Sequence, residues 1–156
     1  MFVYKIANKN YASKFVASGI DGRWSSGGRL VIYTAESIAL SFLESMIRRH
    51  GIGFNNDFKT ILIHIPDDLQ IEKVELHELP KGWNNYGDYA ISQSFGNKWC
   101  DDLRSPLLKV PSVLLPDSFN YVINTVHTDF SKIEVAGITD LTPDPRIEDI
   151  LKNYKK

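Results

Sequence analysis

The sequence predicts one α+β domain, built on a mixed β-sheet with a few flanking helices. Predicted strands outnumber predicted helices, and the two kinds do not alternate along the chain, which argues against a doubly wound parallel sheet. The 156 residues fit one domain, in which folding buries roughly two-thirds of the surface of the unfolded chain. No repeat, low-complexity tract or linker divides the chain, so we predict one domain over residues 1–156.

The N-terminal part is predicted to hold two strands separated by a turn-rich stretch. The segment Phe-Val-Tyr-Lys-Ile at residues 2–6 is typical of a first strand. A glycine-rich polar stretch occupies residues 19–28, and the short apolar run at residues 29–33 predicts a second, mostly buried strand.

The clearest helix is predicted directly after the second strand. Thr34 is predicted to be its N-cap, and Glu36 lies in the first turn, where the helix dipole favours an acid. Basic residues occupy the last turn, and Gly51 is predicted to end the helix. Apolar residues at helical spacing form one stripe: Ala35, Ala39, Phe42, Leu43, Met46 and Ile47.

The rest of the chain is predicted to contain five strands, an irregular stretch and a C-terminal helix. Residues 83–102 are rich in Asn, Gly, Asp and aromatic side chains, and are predicted to be irregular. Residues 146–154 are predicted to form the helix. The five predicted strands cover residues 59–65, 71–76, 112–115, 121–123 and 133–138.

Composition and charge narrow the classes of function. The net charge is −1 and the basic residues are scattered, whereas a nucleic-acid binder concentrates them to neutralise phosphates. No apolar run approaches the roughly 20 residues that span a bilayer, and residues 1–10 lack the apolar segment of a signal peptide. The single cysteine, Cys100, cannot form an internal disulfide. We therefore expect a cytoplasmic protein that binds neither nucleic acid nor a membrane directly.

The common catalytic motifs are absent from the sequence. It has no phosphate-cradling loop ending in Gly-Lys-Ser/Thr, no Gly-x-Gly-x-x-Gly dinucleotide fingerprint and no Gly-x-Ser-x-Gly elbow. The four histidines show no close pairing, so we expect no metal site. The remaining candidates are single residues, each of which also has a purely structural explanation.

Arg23 and Trp24 lie in a glycine-flanked turn before the second predicted strand. Arginine is suited to clamp phosphate oxygens bidentately, and a neighbouring aromatic ring can stack on a planar ligand. The alternative is that Arg23 is a surface charge and Trp24 a core residue. Tyr33 is equally typical of a strand aromatic that packs on the core, and Ser112 of an ordinary strand serine.

Glu44 is the acidic candidate on the predicted helix. It lies beside the apolar stripe, on the side that also carries Ser37, Leu40, Ser41 and Arg48. The same position suits an i,i+4 ion pair with Arg48 on a solvated face, which stabilises a helix by roughly a few tenths of a kcal/mol. Periodicity alone does not distinguish the two interpretations.

Six segments in the same order resemble the RES domain family, which is named for its Arg, Glu and Ser. The resemblance runs from about Val3 to Arg146. Gly-Arg-Trp at residues 22–24 resembles the arginine segment, and residues 31–44 resemble the block in which a strand leads into a helix. The other four segments are Leu-Pro-Lys-Gly-Trp at 79–83, Gly-Asn-Lys-Trp at 96–99, the serine block at 107–113, and residues 120–130.

The resemblance implies a fold similar to diphtheria-toxin-type ADP-ribosyltransferases, with NAD⁺ as substrate and no further cofactor. It implies a toxin that cleaves the bond between nicotinamide and ribose, as a glycohydrolase or phosphorylase, and so depletes NAD⁺ and arrests growth. It also implies a hetero-oligomer with an Xre-type antitoxin, which carries a helix-turn-helix DNA-binding domain.

At the matching positions the resemblance implies a role for each candidate. Arg23 is expected to hold the pyrophosphate or ribose, Glu44 to meet the nicotinamide ribose, and Ser112 to bind the ribose or orient Arg23. The family pattern is not matched everywhere, since Lys5 stands in place of an arginine and Ser25 in place of an asparagine. The expected substrate-binding residues are Tyr33, Trp24 and Asn120.

Two other classes of function stay open. The same fold can transfer ADP-ribose to a protein side chain, in which case the label becomes covalently attached to that protein. The chain can also be a non-catalytic interaction module. The catalytic interpretation predicts that Arg23, Tyr33, Glu44 and Ser112 line one cleft, whereas the interaction module allows them to lie on different faces.

Overall fold

A computed structural model describes residues 1–49 and 57–153. In these residues the chain forms one seven-stranded sheet with four α-helices. The strands are β1 (Phe2–Asn8), β2 (Val31–Ala35), β3 (Phe58–His64), β4 (Ile71–Lys73), β5 (Leu107–Pro111), β6 (Phe119–Asn124) and β7 (Glu134–Asp140). The helices are α1 (Lys9–Ala12), α2 (Ile38–Arg48), α3 (Ala90–Asp101) and α4 (Pro145–Asn153).

The sheet is mixed, as predicted. Its strand order is β4-β5-β6-β2-β1-β3-β7, with β4 and β5 parallel and every other neighbouring pair antiparallel. The central junction is narrow, because β1 and β2 pair only at Tyr4 and Ala35, whereas β1 pairs with β3 from Phe2 to Asn8. The predicted α+β class is therefore confirmed.

Both faces of the sheet are covered by apolar packing. Ile32, Ile61 and Ile123 belong to one buried cluster, and Val31 and Val122 belong to another. Because successive side chains of a strand point to opposite faces, adjacent residues of β2 and β6 join different clusters. The second cluster contains all three tryptophans and includes α3.

Most predicted strands are found, with shifted ends. The prediction over residues 112–115 is wrong, since β5 ends at Pro111 and the chain turns away from the sheet. The cause is the Ser112 hydroxyl, which accepts hydrogen bonds from the backbone N–H groups of Leu114 and Leu115 at 3.1 and 3.2 Å. A serine that bonds to the backbone two and three residues ahead stabilises a turn.

The N-cap of α2 is Ser37, and not Thr34 as predicted. The Ser37 side chain accepts a hydrogen bond from the backbone of Leu40, and its own backbone is extended. Thr34 remains in β2, where its hydroxyl donates to the carbonyl of Tyr121 at 2.9 Å. Glu36 precedes the helix and is not in its first turn. The helix ends at Arg48, and Gly51 lies outside the described residues.

The apolar stripe predicted on α2 is not the side that packs most deeply. Leu40, Ser41 and Ser45 are buried, whereas Ala39 and Ile47 are exposed. Phe42 contributes from the edge, where it packs against Ile6, Phe58 and Leu141. The helix therefore turns a largely polar side toward the sheet, and Glu44 lies on that side.

Helix α3 was not predicted, because residues 83–102 were expected to be irregular. Its buried residues are Ser92, Gly96, Trp99 and Cys100, so a serine and a glycine share the packing face with a large aromatic ring. The predicted C-terminal helix is confirmed as α4, and Tyr154 lies outside the described residues. None of the described helices is both long and apolar enough to cross a membrane.

Lys5 is a half-buried cation in β1. Burial, and after it the nearby charge of Arg48, lower the pKa of Lys5 from 10.5 to about 8. In the unfolded chain the ordinary pKa returns. The unfolded state therefore binds more protons between about pH 8 and 10.5, and stability rises with pH across that window.

We expect Lys5→Met to raise the free energy of unfolding at pH 7 by about 1–3 kcal/mol, because it removes a charge that the folded state disfavours. The difference from wild type should shrink as the pH approaches 10.5. Urea unfolding at pH 7 and pH 10 measures both effects, and Lys14→Met, at an exposed lysine, is the control. Equal stability of wild type and Lys5→Met at pH 7 would contradict the prediction.

Candidate active site

Glu44, Ser112 and Asn120 form one hydrogen-bonded cluster between α2 and the sheet. The Ser112 hydroxyl donates to Glu44 Oε1 at 2.8 Å, and Asn120 Nδ2 donates to the same oxygen at 2.6 Å. Glu44 Oε2 receives no hydrogen bond from the described part of the chain. The carboxylate is thus fixed through Oε1, and Oε2 is left available to a ligand.

Each partner of Glu44 is itself positioned by the fold. Ser112 is fully buried just beyond β5, and its hydroxyl also accepts the two backbone N–H groups of the following turn. Asn120 lies in β6 opposite Ala35 of β2, so the sheet sets its direction. An ion pair between Glu44 and Arg48 on a solvated face is not observed in the described structure.

Arg23 is held by backbone carbonyls of a loop that precedes α3. Its Nη1 donates to the carbonyl of Trp83 at 3.0 Å and its Nη2 to the carbonyl of Asn85 at 3.2 Å. The ring of Tyr89 lies 4.5 Å from the guanidinium carbon. Among the described residues no carboxylate forms an ion pair with Arg23, so its positive charge is not neutralised locally.

Tyr33 lies under the turn that carries Arg23. Its hydroxyl accepts the backbone N–H of Trp24 at 3.0 Å and shares a 2.8 Å hydrogen bond with the Ser25 hydroxyl. Its ring fills the space where Gly22 has no Cβ, so a larger residue at Gly22 would overlap it. Burial raises the pKa of Tyr33, which keeps the hydroxyl protonated at neutral pH.

Trp24 lies in the core in this structure. Its side chain is only 3% exposed, and its ring centroid is 6.1 Å from that of Trp83. A ring with so little exposed surface stabilises the core by packing. The position of Trp24 is therefore explained by its role as a core residue, and not by the expected contact with a ligand.

The Arg23 turn and the Glu44 cluster are both held by residues on one face of the sheet. Tyr33 and Ala35 point to the same face because they are two residues apart in β2, and their partners in β6 are Val122 and Asn120. At about 3.4 Å per residue, Tyr33 and Asn120 differ by about 7 Å along the strands. The residue that fixes the Arg23 turn and a residue that fixes the Glu44 carboxylate therefore lie near each other on one face of the sheet.

Sequence reasoning missed the residues of α3 that clamp the Arg23 turn. Gln93 Nε2 donates to the carbonyl of Gly22 at 2.9 Å, and Asn97 bonds both the backbone and the hydroxyl of Ser26. The carbonyl of Trp24 packs on Gly96 so closely that a Cβ there would overlap it. The Gly-Asn-Lys-Trp motif at 96–99 was the available signal, and its glycine and asparagine are the residues that make these contacts.

No group of three or more His, Cys, Asp or Glu residues within ranges 1–49 and 57–153 is arranged to hold a metal ion. The site itself combines one carboxylate, one guanidinium and neutral hydrogen-bonding groups. Such a set can bind an anion and stabilise a developing positive charge nearby.

Comparison with known proteins relates most of the chain to one family. The family model described as the RES domain matches residues 3–146. The chain is 33% identical over 128 residues to "Prs ADP-ribosylating toxin" of Sphingobium sp. (strain YBL2), which covers 81% of this chain and 80% of that relative. It is 29% identical over 130 residues to "Toxin Res" of Pseudomonas putida, covering 82% of this chain and 86% of that relative.

A solved structure has a similar fold. The crystal structure of the M. tuberculosis MbcT-MbcA toxin-antitoxin complex contains a chain that superposes with a TM-score of 0.74. The match covers 97% of this chain and 88% of that chain, at 16% sequence identity. At this identity the likeness concerns the fold.

Proposed function

The chain belongs to the RES domain family, and from this premise we propose that it is a toxin that cleaves NAD⁺ between nicotinamide and ribose. The observation that carries the proposal is the Glu44 carboxylate, one oxygen of which is held by Ser112 and Asn120. The names of the relatives support a toxin that uses NAD⁺. We propose that one domain over residues 1–156 performs the reaction, with no metal or cofactor.

The reaction needs stabilisation of positive charge more than it needs an acid. Nicotinamide is a good leaving group, because its ring nitrogen is cationic before the bond breaks and neutral afterwards. As the bond lengthens, positive charge spreads over C1′ and the ring oxygen of the ribose. A carboxylate that is already fixed beside that ribose stabilises the transition state by roughly 3 kcal/mol in a site that excludes water.

In this proposal Glu44 meets the nicotinamide ribose through Oε2, while Ser112 and Asn120 hold Oε1. Ser112 and Asn120 thus act by positioning Glu44, and direct contact of either with substrate is not required. The arrangement is preorganised, since the two donors are supplied by the sheet and by a buried turn.

We propose that Arg23 binds the pyrophosphate of NAD⁺. Two of its five N–H donors are used by carbonyls, and the other three have no partner among the described residues. Tyr33 supports Arg23 indirectly, because its hydroxyl is hydrogen-bonded to the turn that carries Arg23. Arg23 and Glu44 are anchored through different residues of one sheet face, Tyr33 and Asn120, which suits a ligand with two ends, such as a dinucleotide, better than a single ring.

A second candidate keeps the same bond cleavage and changes the acceptor. The relative named "Prs ADP-ribosylating toxin" favours transfer of ADP-ribose to a protein side chain. With water as acceptor the products are nicotinamide, ADP-ribose and a proton, and with phosphate they are nicotinamide and ADP-ribose 1″-phosphate. All three acceptors require the same Glu44 and Arg23.

The proposed setting is a cytoplasmic toxin–antitoxin pair. The structural relative was solved as a toxin-antitoxin complex, which supports an antitoxin partner for this chain. We propose an Xre-type antitoxin with a helix-turn-helix domain, in a hetero-oligomer whose DNA contacts come from the antitoxin.

The purified wild-type protein is expected to release nicotinamide from NAD⁺, as measured by chromatography with and without phosphate. A parallel incubation of cell extract with NAD⁺ labelled in the adenosine part distinguishes the acceptors, since only protein transfer attaches the label covalently. Faster release with phosphate identifies a phosphorylase. If no nicotinamide appears under any of the three conditions, the proposed function is wrong.

A further inference from the structure

Within residues 1–49 and 57–153, carbonyls and an aromatic ring hold the guanidinium of Arg23, and no acid does. Its in-plane partners are the carbonyls of Trp83 and Asn85, and one face lies over the ring of Tyr89 at 4.5 Å. A carboxylate partner would occupy more donors and cancel the charge, whereas carbonyls and an aromatic ring orient the group and leave the charge in place.

The Tyr89 ring contacts Arg23 and takes no part in capping α3. Tyr89 is the residue directly before α3, and its side chain makes no capping hydrogen bond with the helix. Its backbone carbonyl accepts the N–H of Gln93 at 2.8 Å, a bond that does not depend on the side chain. The ring is 37% exposed, so it contributes less to the core than a buried aromatic does.

The loop that supplies the carbonyls is anchored by contacts that do not involve Tyr89. The Ser92 hydroxyl donates to the carbonyl of Trp83 at 3.1 Å, and the backbone N–H of Asn85 donates to the carbonyl of Gly82 at 3.0 Å. Gly82 itself has a φ of +93°, a conformation that glycine adopts without strain. Removal of the Tyr89 ring therefore leaves the two acceptors of Arg23 in place.

We propose that Tyr89 is a positioning residue, which sets the plane of the Arg23 guanidinium so that its remaining N–H donors face the pyrophosphate of the substrate. This inference rests on the proposed function for its ligand. An arginine side chain has many rotamers, and an aromatic ring against one face restricts them before the ligand binds. The restriction lowers the entropy lost on binding, so the ring contributes to affinity and not to the bond cleavage.

Three variants test the proposal. Tyr89→Leu removes the ring and keeps an apolar side chain, and Tyr89→Phe keeps the ring. Tyr86→Leu is the matched control, because Tyr86 belongs to the same loop and is 93% exposed. Nicotinamide release is measured across NAD⁺ concentrations. We expect Tyr89→Leu to raise KM roughly 5- to 20-fold with kcat changed less than about threefold, in line with the range for cation–π contacts.

Tyr89→Phe keeps the aromatic ring, so its KM should stay within about twofold of the wild-type value. The control Tyr86→Leu should also have a KM within about twofold of wild type. A ligand-free readout separates this inference from the proposed function. The order parameter of the Arg23 Nε–H group, whose resonance is assigned by its loss in Arg23→Lys, should fall in Tyr89→Leu and stay near the wild-type value in Tyr89→Phe. If the order parameter does not fall in Tyr89→Leu, the positioning role is wrong, whatever the activity. If it falls but wild type turns over no NAD⁺, the proposed function fails and the role assigned to Tyr89 in substrate binding fails with it.

Discussion

Glu44→Gln is expected to lower the rate of nicotinamide release roughly 100- to 1000-fold, the range seen when a preorganised electrostatic contact to a transition state is removed. The substitution keeps the shape of the side chain and removes its charge. The amide oxygen can still accept the hydrogen bonds of Ser112 and Asn120, so the cluster should remain assembled. The effect should appear mainly in kcat, because the lost interaction strengthens as positive charge develops on the ribose.

Two measurements make this result specific to Glu44. Glu134→Gln, at an exposed glutamate in β7, should keep wild-type activity and controls for the loss of a negative charge. The urea unfolding midpoint of Glu44→Gln should stay close to that of wild type, which separates loss of chemistry from loss of fold. If Glu44→Gln retains more than about a third of wild-type kcat, the carboxylate is not the group that stabilises the transition state.

Gly96→Ala is expected to destabilise the fold by about 3 kcal/mol, the upper part of the range for overpacked sites. Elsewhere in a helix the same change stabilises by about 1 kcal/mol, because alanine has the higher helix propensity. At position 96 the added Cβ would overlap the carbonyl oxygen of Trp24 and lie 2.8 Å from its carbonyl carbon. Helix α3 must then move away from the turn, which also stretches the hydrogen bonds of Gln93 and Asn97.

Gly137→Ala is the matched control for this prediction. Gly137 lies in β7, where an added Cβ meets no heavy atom within 4 Å, so stability should change by less than about 0.5 kcal/mol. Denaturant unfolding of wild type and both variants gives the comparison. A Gly96→Ala protein as stable as wild type, or more stable, would show that α3 does not pack against Trp24 as described.

The sheet was largely predictable, because strand signals are local. Apolar runs and alternation in the sequence locate β1, β3, β6 and β7 within a few residues. The existence of α2 was also predictable, but its buried side was not. Apolar spacing pointed to the stripe of Ala39 and Ile47, whereas the fold buries Leu40, Ser41 and Ser45.

Helix α3 could not be predicted from periodicity for a related reason. Its packing face contains a serine and a glycine, Ser92 and Gly96, and its polar residues Gln93 and Asn97 bond to the Arg23 turn. Such a helix has little amphipathic contrast, and glycine lowers its propensity further. Its stability comes from tertiary contacts with a segment about 70 residues earlier in the chain.

The candidate site was predictable only as a set of residues. The resemblance to the family named Arg23, Glu44, Ser112 and Asn120, but neither spacing nor propensity relates a helix glutamate to a serine in a distant turn. The function of Ser112 and Asn120 as joint donors to one oxygen is a property of the folded chain. Tyr33 shows the same limit, because its burial beneath the Arg23 turn depends on the absence of a side chain at Gly22.

The separation of Glu44 from its partners along the chain has a consequence for biosynthesis. Ser112 and Asn120 follow Glu44 by 68 and 76 residues. A polypeptide that is still being translated, or that is truncated before residue 120, lacks a donor that fixes the carboxylate. On the proposed mechanism a nascent chain therefore does not cleave NAD⁺ efficiently, and toxicity begins only after residues up to Asn120 have been made and have folded.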